Sequence, residues 1–230
     1  MIVLALDTAT AATTAALVGE GLRIESTEVD ARRHAEALPV IVRALLADSG
    51  VGRRDLDLIA CGVGPGPFTG LRVGVAFARA MAIGLGVPVV GACTLDVIAS
   101  GSTARGPLTV VTRHRRAEVA WATYEKGDGI ERTGGPLIAP ESSFERLGTV
   151  IGDIADVDVP AQPSSADLGA LVLARRAAGE PFPADIPWPE DAAGGSGAPA
   201  ERILGERAAA GLRLLPALPL YLRRPDAVPA

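Results

Sequence analysis

The sequence predicts an α/β protein built in two halves, and three observations carry that prediction. Short apolar runs alternate with longer stretches of helical periodicity, an opening group of three strands is repeated after the midpoint, and a Gly-bearing linker at 101–106 divides the two. The expected units are residues 1–103 and a smaller one over 104–230.

Composition bounds the function classes. A chain of 230 residues with 48% hydrophobic residues and mean hydropathy +0.30 has ample material for a core and is not disordered. Its net charge of −5 argues against a broad phosphate-binding surface, and 3% aromatic residues leave few stacking platforms for single-stranded nucleic acid. Cys61 and Cys93 stand without a CxxC or a nearby His, so neither a disulfide framework nor a zinc site is implied. The longest uncharged apolar stretch, 80–95, is broken by Gly84, Gly86 and Pro88. It is too short to span a bilayer, and with no basic N-terminal segment the expected location is the cytoplasm.

In the first half, 2–6 is an apolar strand that stops at Asp7-Thr8, 13–18 is a second, and Glu20-Gly21 turns into a third over 22–29. An Asp-Thr pair after a first strand is where actin-like and sugar-kinase-like ATPases keep the acid that manages metal and phosphate. Ordinary turn chemistry gives the same pair, because both side chains hydrogen-bond nearby backbone. Residues 32–49 read as a helix with two apolar sides, Leu38, Ile41, Leu45 and Ala35 on one and Ala37, Val40 and Ala44 on the other. His34 lies in its first turn, and the position where a metal pair would need a second His holds Leu38, so no metal is expected and His34 reads as a surface or interface residue.

A strand at 56–61 then runs into the most specific stretch, Gly62-Val63-Gly64-Pro65-Gly66-Pro67-Phe68-Thr69-Gly70-Leu71-Arg72-Val73-Gly74, with a helix over 69–85 and Thr69 as its N-cap. A strand, a Gly-rich turn and a helix N-terminus can cradle phosphate. No Lys-Ser or Lys-Thr follows, the dinucleotide glycine spacing is absent, and Pro65 and Pro67 remove two donors. In the helix, Gly70, Gly74, Ala78, Ala82 and Gly86 fall four apart and make a smooth stripe. Glycine costs roughly 1 kcal/mol relative to alanine there, so a neighbouring helix or another chain must approach closely. Val73, Phe77, Met81 and Leu85 form a second, larger stripe.

A strand at 87–91 and a helix at 94–100 capped by Thr94 complete this half. Beyond the linker, 108–112 and 117–124 are strands, and Lys126-Gly127-Asp128-Gly129 turns into a third over 130–133. Between the first two sits Arg113-His114-Arg115-Arg116, either a solvated turn or a contact for an anion such as RNA or a nucleotide phosphate. Helices are expected at 142–147, 166–178 and 201–215, a strand at 149–154, a loop of low order over 180–200, and an extended tail over 216–225 pinned by Tyr221.

The opening Ile2-Val3-Leu4-Ala5-Leu6-Asp7-Thr8, the glycine motif and Leu220-Tyr221-Leu222-Arg223 together resemble the bacterial TsaB proteins, also called YeaZ, in order and spacing over nearly the whole length. The resemblance implies two actin-like (ASKHA, ribonuclease-H-like) domains, each a mixed sheet with packed helices, and no cofactor. It implies a non-catalytic subunit needed for N6-threonylcarbamoyladenosine at position 37 of tRNAs reading codons that begin with A. Such a subunit pairs through its N-terminal helices with the paralogous transferase TsaD, joined by the ATPase TsaE, and forms homodimers when alone.

On that basis the partner surface is expected at His34, Ala37, Leu38, Ile41, Leu45, Gly70, Val73, Gly74, Phe77, Ala78 and Met81. Possible nucleotide or anion contacts are Asp7, Thr8, Arg113, Arg115 and Arg116. The family usually has an Asp-Ala-Arg run before the Glu-Val of the second half's hairpin, where this chain has Arg113-His114-Arg115-Arg116 ahead of Glu118-Val119, a local charge reversal. The alternative function is an ATP-dependent phosphotransferase using Asp7. A peptidase lacks any Ser-His or Cys-His arrangement, since His34 and His114 are the only histidines.

Overall fold

The computed structural model describes residues 1–183, 206–207, 214–220 and 222. Strands β1 (Val3–Asp7), β2 (Ala12–Gly19) and β3 (Leu22–Val29) form the expected antiparallel meander, and helix α1 (His34–Ser49) leads through a short 3-10 turn at Arg53–Asp55 to β4 (Leu58–Gly62). Helix α2 (Phe68–Leu85) connects β4 to β5 (Val89–Ala92). The sheet order is β3-β2-β1-β4-β5, with β1, β4 and β5 parallel.

Because side chains alternate across a strand, β1 sends Leu4 and Leu6 to one face and Val3 and Ala5 to the other. Both faces are covered, so all five of its residues are buried. The first face packs on Leu38, Ile41 and Leu45 of α1 and on Leu71, Val75, Ala78 and Ala82 of α2.

The second sheet has the order β10-β9-β6-β7-β8, from β6 (Gly106–Arg115), β7 (Glu118–Lys126), β8 (Ile130–Pro140), β9 (Thr149–Gly152) and β10 (Val159–Pro160). Its inner face, with Leu108, Val110, Ala122 and Tyr124, joins the core of the first half, while Val111, Val119 and Trp121 close a small outer core with Phe144, Val150 and Ile154. Helix α3 (Thr94–Gly101) lies between the two sheets. There the Tyr124 hydroxyl donates to Asp96 Oδ1 at 2.9 Å, and the Arg132 guanidinium holds both Asp96 oxygens at 3.0 and 2.7 Å. All three side chains are buried, and a pair of this kind, fully hydrogen-bonded, is costly to break on one side.

Helix α4 (Ser165–Ala177) was expected to belong to the second half, but it covers the other face of the first sheet. Leu168 and Val172 meet Val3, Ala5, Leu58 and Ala60 there. Glu25 on β3 accepts from the backbone N–H groups of Ser165 and Ala166 and from the Ser164 hydroxyl, an acid at a helix N-terminus, and Arg23 pairs with Asp167 at 2.6 Å. The second unit therefore does not run on unbroken from 104: the chain returns to the first sheet from 164 onward.

The tail returns too, with Leu215 bridging Gly91 and the Leu220 N–H donating to Val63 C=O at 2.7 Å. The expected helix at 142–147 is a turn instead, because Phe144 is drawn against the Trp121 ring and the Leu147 N–H is taken by Thr109 Oγ1. Of the helix expected over 201–215, Glu206 and Arg207 are helical among the described residues, whereas Leu215 at its end forms the bridge to Gly91; Tyr221 and most of the 180–200 loop lie outside the described residues.

Candidate functional site

At the C-terminal ends of β1 and β4 the two halves leave a cleft with a cavity volume of about 680 Å³. Its walls come from Thr10 and Ala11 after β1, His34 on α1, residues 66–70 at the start of α2, Arg113 to Arg116 at the end of β6, where the strand runs on through the run expected as a turn, Asp153 and Gln162, and Leu220 and Leu222.

Asp7 lies beneath this cleft rather than in it. Its side chain is fully buried, with Oδ1 accepting from the Ala9 N–H at 2.7 Å and Oδ2 from the Thr94 hydroxyl at 2.8 Å. Gly62 is pressed so closely against it that a Cβ there would sit 1.7 Å from Oδ2. Burial pushes the Asp7 carboxyl up to about 6, partly opposed by those two hydrogen bonds. Thr94, expected as a helix cap, is thus the partner that closes the acid in; it also accepts the Gly64 N–H, and Gly64 has φ +93°, a conformation that favours glycine. The possible metal acid is enclosed, and neither Asp7 nor Thr8 lines the cleft.

Thr8 instead fastens α2. Its hydroxyl donates to the Gly70 C=O at 2.7 Å and accepts the Gly74 N–H at 3.0 Å. The small-residue stripe exists for this contact: a Cβ on Gly74 would lie 2.3 Å from Thr8 Oγ1, and one on Gly70 would lie 2.6 Å from the Thr8 carbonyl oxygen. Gly70, Gly74, Ala78 and Ala82 face inward and are buried, so the reading of Gly70, Gly74 and Ala78 as partner-facing is corrected. So is that of His34, Ala37, Leu38, Ile41 and Leu45, all buried within this chain. The helix starts at Phe68 with Pro67 in the cap position, one residue earlier than Thr69 suggested.

What α2 leaves outside is its other stripe. Val73, Phe77 and Met81 are half-buried, Ala76, Ala80 and Gly84 are exposed beside them, and Ile83 is 79% exposed. Val40 on α1 is 54% exposed. By length and composition α2 could cross a membrane, with a mean hydropathy of 1.4, but one stripe of it is packed on the first sheet and only the remainder is free.

His34 is 5% exposed, with Nδ1 2.6 Å from the Thr13 hydroxyl, and burial lowers its pKa against the opposing pull of Asp30. Arg113 keeps its place in the wall through its own N–H, donated to Asp153 Oδ1 at 2.6 Å, and through Nη1, which reaches Glu141 at 3.4 Å. Both cysteines are fully buried; burial pushes the Cys93 thiol up to about 12 and Cys61 higher still, so neither is a ready nucleophile.

The family model for TsaD, tRNA N6-adenosine threonylcarbamoyltransferase, matches residues 26–155. An uncharacterized protein of Mycobacterium tuberculosis is 40% identical over 238 residues, covering 99% of this chain and 94% of the relative. The tRNA threonylcarbamoyladenosine biosynthesis protein TsaB of Escherichia coli is 34% identical over 160 residues, 66% of this chain and 69% of that protein. Among solved structures, YeaZ from Pseudomonas aeruginosa superposes with a TM-score of 0.68 at 28% identity, covering 77% of this chain and 93% of the other. Two mixed sheets in this order, an N-terminal meander running into the glycine motif, and these relatives agree: the chain belongs to the TsaB (YeaZ) family.

Proposed function

We propose that this chain is the non-catalytic assembly subunit for N6-threonylcarbamoyladenosine formation at position 37 of tRNAs reading codons that begin with A. It pairs with and activates the transferase TsaD in the cytoplasm, TsaE joins the pair, and the lone chain dimerises through the same surface. The observation that carries this reading is the outer stripe of α2, an apolar helix face on which Ala76, Ala80 and Gly84 are exposed and Val73, Phe77 and Met81 are only half covered by the chain's own core. Exposed apolar area of this kind is stabilised by burial against another apolar helix, and the small residues Ala76, Ala80 and Gly84 allow that helix to come close. The enclosed carboxylate of Asp7 supports a subunit over an ATP-dependent phosphotransferase.

The test is Ala76→Arg with Ala80→Arg. Both positions face solvent, so the variant should keep the wild-type melting temperature while losing co-elution with TsaD and, in a reconstitution with TsaD and TsaE, most modified nucleoside. Undiminished co-elution would remove α2 from the interface. ATP hydrolysis by the purified chain, abolished by Asp7→Asn, would replace the subunit with the phosphotransferase.

A further inference from the structure

Helix α3 is tied at its start to the glycine loop of the first half and farther along to the second sheet. At the start, the Thr94 N–H donates to the Gly64 C=O at 2.8 Å, and Thr94 Oγ1 accepts the Gly64 N–H at 3.2 Å while its own proton goes to Asp7. Among the described residues both backbone hydrogen bonds of Gly64 are thus made to α3. Gly64 lies in the loop that feeds α2, and a Cβ there would meet the two methyl groups of Leu71 at 3.0 and 3.2 Å. The pinned loop therefore packs directly on the first turn of the helix.

Farther along, β7 and β8 take hold. The Asp96 carboxylate receives Tyr124 and Arg132, and the Lys126 ammonium donates to the C=O groups of Ala99 and Ser100 at 2.9 and 2.6 Å, a cation at a helix C-terminus. A helix of 8 residues does not hold its shape and place alone, so these side chains decide where it sits. With Thr94 to Ala99 all buried in close packing, a shift of the second sheet against the first is passed to Thr94 rather than absorbed on the way.

We propose that Asp96 and Arg132 are positioning residues for partner docking: through α3 and Thr94 the second sheet fixes the glycine loop, and with it the pose of α2. The inference rests on the reading of the outer stripe of α2 as the docking face. Both side chains are buried between the sheets, so they act on that face through α3 and not by contact. Without them the start of α2 has to be ordered at the moment of docking, which weakens binding. Linkage makes the effect reciprocal, so a partner seated on α2 steadies the hold of β7 and β8 on α3.

Hydrogen exchange of the full chain, read by peptide mass spectrometry, tests the link without any partner. The variant is Asp96→Asn with Arg132→Leu, which removes both charges together, leaves no lone buried ion and keeps an acceptor for Tyr124. The control is Phe144→Leu in the outer core, which loosens the same half away from α3. Exchange over 62–74 should quicken about tenfold in the double variant and stay at the wild-type rate in the control. Affinity for TsaD should fall about tenfold in the double variant alone, and adding Thr94→Val to it should cost little more, because both act through one link. If circular dichroism shows the double variant unfolded, Lys126→Met, which releases only the end of α3, should give the same pattern at about threefold.

Unchanged exchange over 62–74 would overturn the proposal. So would equal quickening in the Phe144→Leu control, which marks a merely structural role, or wild-type affinity for TsaD despite a loosened loop. A wild-type chain that fails to bind TsaD would remove the docking reading itself, and the exchange measurement still decides whether α3 carries the link.

Discussion

Two turns meet at the cleft, one from each half, and they are built in opposite ways. The turn after β1, Asp7 to Thr10, has every polar side chain buried: Asp7 is held by Ala9 and by Thr94 of α3, Thr8 by Gly70 and Gly74 of α2, and Thr10 accepts the Ala12 N–H. The turn at the end of β6, with Arg113 to Arg115 in the strand's last residues and Arg116 in the turn itself, is mostly exposed, with guanidinium groups along its rim. The same local plan, a strand leading into an antiparallel partner, thus serves fixation in one half and presentation of charge in the other. Covering decides the outcome: α2 and the Gly-rich loop close over the first turn, and among the described residues no helix lies over the second.

The largest expected effect breaks the closed turn. Gly62→Ala places a methyl group where Asp7 Oδ2 now lies, so displacement of the acid and its two hydrogen bonds should cost about 4 kcal/mol or more, or prevent folding. Urea denaturation measures it.

Asp7→Asn sharpens the comparison. A carboxyl with a folded pKa of about 6 and an ordinary value of 3.8 holds its proton more tightly in the folded state. Its contribution is fully present below about pH 4 and is lost as pH rises to about 6, amounting to about 3 kcal/mol. The asparagine variant does not titrate, so its stability relative to wild type should rise by about that amount between pH 4 and 7 in paired denaturation curves. A difference independent of pH would mean that the acid is not enclosed. The smallest effect falls on the open turn: Arg115→Gln with Arg116→Gln should change stability by no more than about 0.5 kcal/mol, read from thermal melts.

Much of this fold was legible in the sequence because it is written in short-range pattern. Short runs bounded by Asp7-Thr8 and by the Glu20-Gly21 turn marked β1 to β3, periodicity marked α1, α2 and α4, and the run from Cys61 through Gly74 marked the join between sheet and helix. The four-residue spacing of Gly70 and Gly74 correctly signalled a close approach, but the approaching group, Thr8, lies 66 residues from Gly74 in the chain. Spacing on one helix carries no information about which surface comes near, and so the small stripe and the large stripe exchanged roles. Thr94 and Asp7 are 87 residues apart, and the cap reading of Thr94 was the best that local rules allow. Asp153 and Gln162 drew no notice for the same reason: only the return of the chain after β9 brings them to the Arg113 turn. The helix expected at 142–147 failed where one aromatic residue, Phe144, gained more from the outer core than a turn of helix could offer.

The path of the chain after β10 also bears on how the protein is made. When a ribosome has delivered residues 1–104, all five strands of the first sheet exist, yet only the face under α1 and α2 can be covered. The opposite face waits for Leu168 and Val172 of α4 and for Leu214, all made after the second sheet. Contacts that span so much sequence form slowly and leave apolar surface open meanwhile. The N-terminal half is therefore a late-finishing unit during synthesis, and its last strand, β5, paired with β4 on one edge, gains a partner on the other when Leu215 arrives to bridge Gly91.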